Sequence, residues 1–463
     1  LHLSLRRQRQ MCIRDRNQSV EFLKLIDGVQ KREIPEYVLR RAKQSLLDYL
    51  AVSSAGAVFQ KEKIDNYMVF AMPEVGEFNA IGTGKRLALK EAVFLNGLNS
   101  HALDFDDGTN SGIIHLGSPI FSLLLPLAER YDLGVEEVLK AAVIGYETSY
   151  TMAVSIQPEH KIMGYHATGT CGVLGATIAA SYMLNFTEEE RFQAFAVACV
   201  SASGMLKVLD DESELKPYNV AKTALLALTS IQLAKSGFKG HHDPLGGRGF
   251  VKMMTGKDEV ELKSVLLNGT YAVMKTYTKP YASCRYTHPS VEAAIHLRAQ
   301  VRIEDVERID IKTYSLAVAG HDHTDIPGSY SAKMSIPYAT ATGLIYGKAG
   351  LQEFSEESVK EEKRLNLTKK IHVESDDELS VMFPGVQAAI VHITKTDGSV
   401  LAERVDFPKG EPENPLDEAE FKDRYDSLMT YAHQAHGDEI YQLVYAENAK
   451  IRKVMEIIGG GIR

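Results

Sequence analysis

The chain has 463 residues, is 44% hydrophobic and 24% charged, and carries a net charge of −9 with a pI near 6.0, which is ordinary for a globular protein of two or three domains. The acidic balance argues against nucleic acid as the main partner, because phosphate binding needs a basic surface, while a few local cations still allow a small anionic substrate. Cys12, Cys171, Cys199 and Cys284 show no CxxC or Cys/His ligand spacing, which predicts free thiols and a cytoplasmic location, and every apolar run is broken before the length of a membrane span.

Residues 1–16 are basic and lack the apolar core of a secretory signal. They resemble a translated library adapter and are set apart from the fold as a non-native or disordered tail. From Ser19 to about Phe250 the apolar spacing is helical, as in Val20–Ile26, Val38–Leu50, Leu87–Leu98 and Val135–Glu147. Thr187-Glu-Glu-Glu190 reads as a capping box, and Gly172–Ser181 and Ala221–Ala234 as helices rich in small residues. After about Leu267 the pattern changes. Tyr271–Tyr277, Val306–Tyr314 and Lys370–Val373 read as strands, and Val386–Phe407 as a hairpin turning at Asp397-Gly398. Helical segments at Ser290–Gln300 and Ser335–Tyr346 lie between them, Pro408–Pro415 reads as a linker, and helix returns from Asp417. The predicted fold is mainly α: a large helical domain from 17–267 together with 409–463, and an inserted α+β domain at 268–408.

Chemistry concentrates at His101-Ala-Leu-Asp104-Phe-Asp106-Asp107, followed by Thr109 and His115. Its apolar flanks invite shifted ionisation, and imidazoles beside carboxylates suit acid–base work near neutrality. A helix cap at Asp106 or Asp107, a satisfied core histidine at His115, and a metal site at His101, Asp104 and His115 remain alternatives, although the spacing matches no standard ligand pattern. Gly164-Tyr-His166-Ala-Thr168-Gly-Thr170 is a second candidate, read either as a loop histidine or as an anion site at a helix start. Lys216 precedes an apolar helix, and Lys279 with Cys284, Arg285 and His288 suggests a cationic patch for carboxylates. Cys284 is also a weaker candidate nucleophile, and His241-His242 reads as a loop.

These segments, in this order, resemble the MmgE/PrpD family. The matching pieces are His101-Ala-Leu-Asp-Phe-Asp-Asp, His115-Leu-Gly-Ser-Pro, Gly145-Tyr-Glu147, Gly164-Tyr-His-Ala-Thr-Gly-Thr, Lys216-Pro-Tyr-Asn, Lys279-Pro-Tyr-Ala-Ser-Cys, Ser335-Ile-Pro-Tyr-Ala and Pro408-Lys-Gly-Glu-Pro-Glu-Asn-Pro. The resemblance implies a homodimer, a helical domain with an α+β lid, and an active site between the domains that works without metal or other cofactor. It implies catalytic roles for Asp104, His115, His166, Lys216 and Lys279, and substrate contacts from His101, Thr109, Cys284, Arg285 and Ser335. Leu116 and Ala221 stand where the family often has Pro and Gly, and Cys284 where decarboxylase members of the family carry His and dehydratase-like members often carry Cys. The implied activity is a hydro-lyase on a small hydroxy di- or tricarboxylate such as 2-methylcitrate. An epimerase, isomerase or decarboxylase of a related polycarboxylate is the alternative, and a non-catalytic polycarboxylate-binding protein the second.

Overall fold

A computed structural model describes residues 17–209 and 213–460; the tail at 1–16 lies outside them. The chain divides into two compact units. Of the described residues, the larger holds 17–102, 107–209, 213–275 and 425–460; the smaller holds 103–106 and 276–424. No described helix is long and apolar enough to cross a membrane.

The larger unit is helical because its apolar residues recur at helical spacing and its small residues let helices approach closely. Helix Val135–Ile156 lies against Ala167–Met183, and Leu89–His101 against Lys216–Lys235. A Cβ on Gly175 would sit 1.9 Å from Ser149 Oγ and 2.6 Å from the Gly145 carbonyl, so the first pair depends on glycine at that position. Ala221 packs where a Cβ on Gly97 would come within 2.7 Å of its Cα, so Gly97 provides the room at this crossing. The capping box forms as predicted: Glu190 N–H donates to Thr187 Oγ1 at 3.2 Å, and Thr187 N–H to Glu190 Oε2 at 2.8 Å. The helical reading overlooked an antiparallel hairpin, β1 (Val75–Ala80) with β2 (Lys85–Leu87).

The smaller unit holds a four-stranded sheet of β3 (Val306–Thr313), β4 (Ile371–Ser375), β5 (Ala389–Lys395) and β6 (Val400–Val405) in the order β4-β3-β5-β6. β3 pairs parallel with β4 and antiparallel with β5, and β5 pairs antiparallel with β6. Period-two alternation places Ile309, Ile311, Val391 and Ile393 in one core with Ala293, Leu297 and Leu344 of helices His288–Leu297 and Ile336–Tyr346. The predicted hairpin turn is present, with Gly398 at φ 82.

Two expectations are corrected. Tyr271–Tyr277 is not a strand: Ala272–Lys275 is a 3-10 turn, and the Ala272 N–H that a strand would pair is taken by the Glu147 carboxylate. Pro408–Pro415 is no free linker. Thr278 N–H donates to the Gly410 carbonyl at 2.8 Å, Lys409 N–H donates to Glu292 at 2.6 Å, and buried Glu411 pairs with Arg285.

Candidate active site

In the larger unit the loop after helix Leu89–His101 folds back on itself through a bridge between Thr109 and Ile114. Thr109 N–H donates to the Ile114 carbonyl at 3.0 Å, so Thr109 shapes the turn that returns His115 to Asp107. Ile113 takes a left-handed φ of 51° there, a strained conformation for a β-branched residue. The Asp107 carboxylate accepts from Gly117 N–H at 2.9 Å, capping helix Gly117–Tyr131, and from the Tyr146 hydroxyl. Asp107 thus does the capping that sequence offered to either Asp106 or Asp107.

Three buried imidazoles gather beside this loop. The rings of His101 and His115 are 4.5 Å apart and nearly perpendicular, and those of His101 and His166 are 6.4 Å apart. His115 Nδ1 lies 2.8 Å from the Asp107 carbonyl. A carbonyl only accepts, so Nδ1 carries the proton and Nε2 presents a lone pair in the neutral ring. His166 precedes helix Ala167–Met183, and its Nδ1 lies 3.1 Å from the Asn219 amide nitrogen, which only donates. There the proton sits on Nε2. The two imidazoles are held in opposite tautomers. Thr168 Oγ1 accepts from His115 N–H at 3.1 Å, tying the two histidine loops together.

Lys216 opens helix Lys216–Lys235 and is buried. Asn219 lies three residues on, hence on the same helical face, so the face that orients His166 also carries Lys216. Glu147 of Gly145-Tyr-Glu147 is wholly buried, and burial, opposed by the Ala272 N–H, pushes its carboxyl up to about 8.

The smaller unit assembles charges. Lys279 is buried, and its ammonium lies 3.2 Å from Asp104 Oδ1 and also donates to the Asp104 carbonyl. Asp104 has a left-handed φ of 51°, so its carboxylate and carbonyl reach one ammonium from a strained backbone. Arg424 fixes this segment: Nε donates to the Lys279 carbonyl, Nη2 donates to the Phe105 carbonyl at 2.8 Å, and the guanidinium lies 4.2 Å from the Phe105 ring centroid. Sequence reading missed Lys333. It is buried on helix Ser329–Met334, and burial pulls its ammonium down to about 8; Asp104 opposes this and Lys279 adds to it. Its carbonyl accepts Cys284 N–H at 2.9 Å.

Two residues expected to contact substrate hold structural partners. Ser335 is the N-cap of helix Ile336–Tyr346: its hydroxyl accepts from Tyr338 N–H at 3.1 Å and donates its single proton to the His323 carbonyl at 2.7 Å. Arg285 directs Nε and Nη2 at buried Glu411, so its charge is neutralised inside the fold. His288, suggested for the same cationic patch, is also buried, and burial first, then Arg285 and Lys279, hold it well below its usual range in the neutral form.

The larger part of the chain matches two family domains. Residues 20–263 match the MmgE/PrpD N-terminal domain and residues 281–447 the MmgE/PrpD C-terminal domain. The chain belongs to the MmgE/PrpD family. It is 25% identical over 427 residues to a cis-aconitate decarboxylase of Aspergillus terreus, with 86% of each chain covered. It is 24% identical to the cis-aconitate decarboxylase of Mus musculus, over 87% of this chain and 85% of that protein, and 21% identical to that of Homo sapiens, over 87% and 86%. The two matched domains contain all the buried imidazoles and lysines described above except Lys279, which lies two residues before the second domain begins.

Proposed function

We propose that this member of the family is a lyase of small polycarboxylates, and that its reaction is the dehydration of a hydroxy di- or tricarboxylate of the 2-methylcitrate type. The observation that carries the reading is the pair of opposite tautomers. Elimination of water needs a base for the proton next to a carboxylate and an acid for the departing hydroxyl. The Nε2 lone pair of His115 suits the first task, and the Nε2–H of His166 the second. Negative charge that develops on the substrate carboxylate is stabilised by preplaced cations, often a large share of catalysis. Lys216, Lys279 and Lys333 are the buried ammonium groups suited to it.

Decarboxylation of an unsaturated tricarboxylate is the second reading, favoured by the names of the relatives. It uses the same lysines and needs only one proton donor for the carbanion. Turnover of a panel of citrate-like and aconitate-like acids, followed by NMR with carbon dioxide capture, separates the two. Formation of a conjugated alkene without carbon dioxide supports dehydration. Carbon dioxide released in step with product establishes decarboxylation instead, and tight binding with no turnover leaves a polycarboxylate-binding protein. The same turnover is expected to survive dialysis against a chelator; loss restored by one divalent ion would overturn the metal-free reading.

A further inference from the structure

Cys284 has a partner that no sequence motif announced. His321 Nε2 lies 3.6 Å from its sulfur. The imidazole is fixed on several sides. Its Nδ1 lies 2.9 Å from the Ala319 carbonyl, its own carbonyl accepts Ile336 N–H at 2.8 Å, and its ring meets Tyr286 edge-on at 5.3 Å. The turn that presents it has type II geometry, with Ala319 at φ −58 and ψ 103, Gly320 at φ 80, and His321 N–H bonded to the Val318 carbonyl at 3.0 Å. Because the Ala319 carbonyl only accepts, Nδ1 holds the proton and the Nε2 lone pair faces the thiol. Cys284 is itself fixed by its N–H bond to the Lys333 carbonyl.

We propose that Cys284 and His321 form a thiol–imidazole acid–base pair that serves carbon protonation in this enzyme, with Cys284 as the proton carrier and His321 as its positioning residue. The proposal rests on the polycarboxylate reading above and adds a proton carrier to it. The step is a proton transfer: S–H passes its proton to Nε2, giving thiolate and imidazolium, while the other proton stays on Nδ1, donated to the Ala319 carbonyl, and no other bond changes. The reverse transfer returns the proton to sulfur; the thiol then gives it to the carbanion left by deprotonation next to a carboxylate, or by loss of carbon dioxide, and the resulting thiolate takes its next proton from solvent. The surrounding charges support this. Burial opposes ionisation of the thiol and Asp104 adds to that, but His321 and Lys279 outweigh them and hold the thiol below its usual range. Tyr286 and Tyr314 also interact electrostatically with the thiol, and Arg285 with both tyrosines. Cys171 and Cys199, by contrast, are buried with thiols pushed up.

Two readouts on the full-length protein test this. The first is the pH dependence of Cys284 alkylation by iodoacetamide, read by peptide mass spectrometry without substrate. The rate is expected to level off at a pH below the value of about 8.5 for an ordinary thiol. His321→Gln is expected to slow it at least about tenfold near neutrality and to move the titration up by about one unit. Identical profiles for the two proteins, or an ordinary thiol titration in the unaltered chain, would overturn the pairing. The second is deuterium uptake from solvent into substrate carbon. Cys284→Ser keeps a hydroxyl of similar shape and is expected to hold KM within about threefold while lowering both kcat and deuterium uptake at least about tenfold. Undiminished uptake in a folded Cys284→Ser protein would remove Cys284 from carbon protonation and leave the polycarboxylate reading standing. Absence of turnover in the unaltered chain would sink that reading and the catalytic role built on it, while the alkylation profiles would still judge the thiol–imidazole pairing.

Discussion

The two units treat their reactive groups differently. In the larger, His115 and His166 are oriented by neutral partners, a backbone carbonyl and a side-chain amide. In the smaller, Lys279 and Arg285 are held by carboxylates, in buried ion pairs with Asp104 and Glu411. Removing an imidazole leaves a neutral group that loses one hydrogen bond. Removing a buried lysine takes the ion-pair partner from a buried carboxylate, which is far more costly. Substitutions in the larger unit are therefore expected to cost rate with little stability, and those in the smaller to cost both.

The largest effect is expected at the imidazoles. His115→Gln and His166→Gln should each lower kcat by about 10²–10⁴, the usual contribution of a positioned acid or base, with KM nearly unchanged. Thermal melting within a few degrees of the unaltered protein is the other half of the prediction; a large loss of stability would erase the contrast between the units.

Lys279→Met comes next. It should lower kcat/KM at least about tenfold and destabilise the fold by about 3–5 kcal/mol, because buried Asp104 loses the ammonium it is ion-paired with. Adding Asp104→Asn should restore much of the stability and none of the activity. Lys216→Met should cost a similar factor in kcat/KM with a smaller loss of stability. Equal destabilisation by the two lysine substitutions, in chemical denaturation, would count against the comparison.

Much of this was legible in the sequence, for a physical reason. Asp104, His115, His166, Lys216 and Lys279 are ionisable residues in otherwise apolar or small-residue surroundings, and such surroundings bury them. The structural partners of Ser335 and Arg285 were not legible, because helix capping and ion pairing depend on what the fold brings close: His323 and Tyr338 for one, Glu411 for the other. Lys333 stands two residues before Ser335-Ile-Pro-Tyr, and that proximity was the available signal. His321 reaches Cys284 from 37 residues along the chain, a separation that no local pattern encodes. The helical layout was plain from periodicity. The short β1–β2 hairpin was not, because β2 is three residues long and alternation needs a longer run to show.

Glu147 sharpens the comparison from the opposite direction, as a buried carboxyl in the larger unit. Its folded-state value of about 8 is raised above the ordinary value. The folded protein therefore retains a proton that the unfolded chain loses, and stability falls as pH rises from about 4.5 toward 8, by up to about 1.4 kcal/mol per pH unit. Glu147→Gln keeps the oxygen that accepts Ala272 N–H and should flatten this decline, with activity unchanged. A decline of the same steepness in the variant would show that Glu147 is not its source.

The smallest effect is expected at Lys333, whose ammonium is lost as pH rises through about 8. A cation that anchors a carboxylate is present below that pH, so kcat/KM should fall about three- to tenfold between about pH 7 and 9. Lys333→Arg, which stays charged, should remove this alkaline limb, and an unchanged limb would assign it to another group.

The central claim is that His115 and His166 occupy opposite tautomers, one ready to accept a proton and one to donate it. Two-bond ¹H–¹⁵N correlation NMR on histidine-labelled protein reads this directly, with each ring assigned by its loss in the corresponding Gln variant. At neutral pH the account predicts the proton on Nδ1 of His115 and on Nε2 of His166. The same tautomer at both positions, or two fully protonated rings, would contradict it.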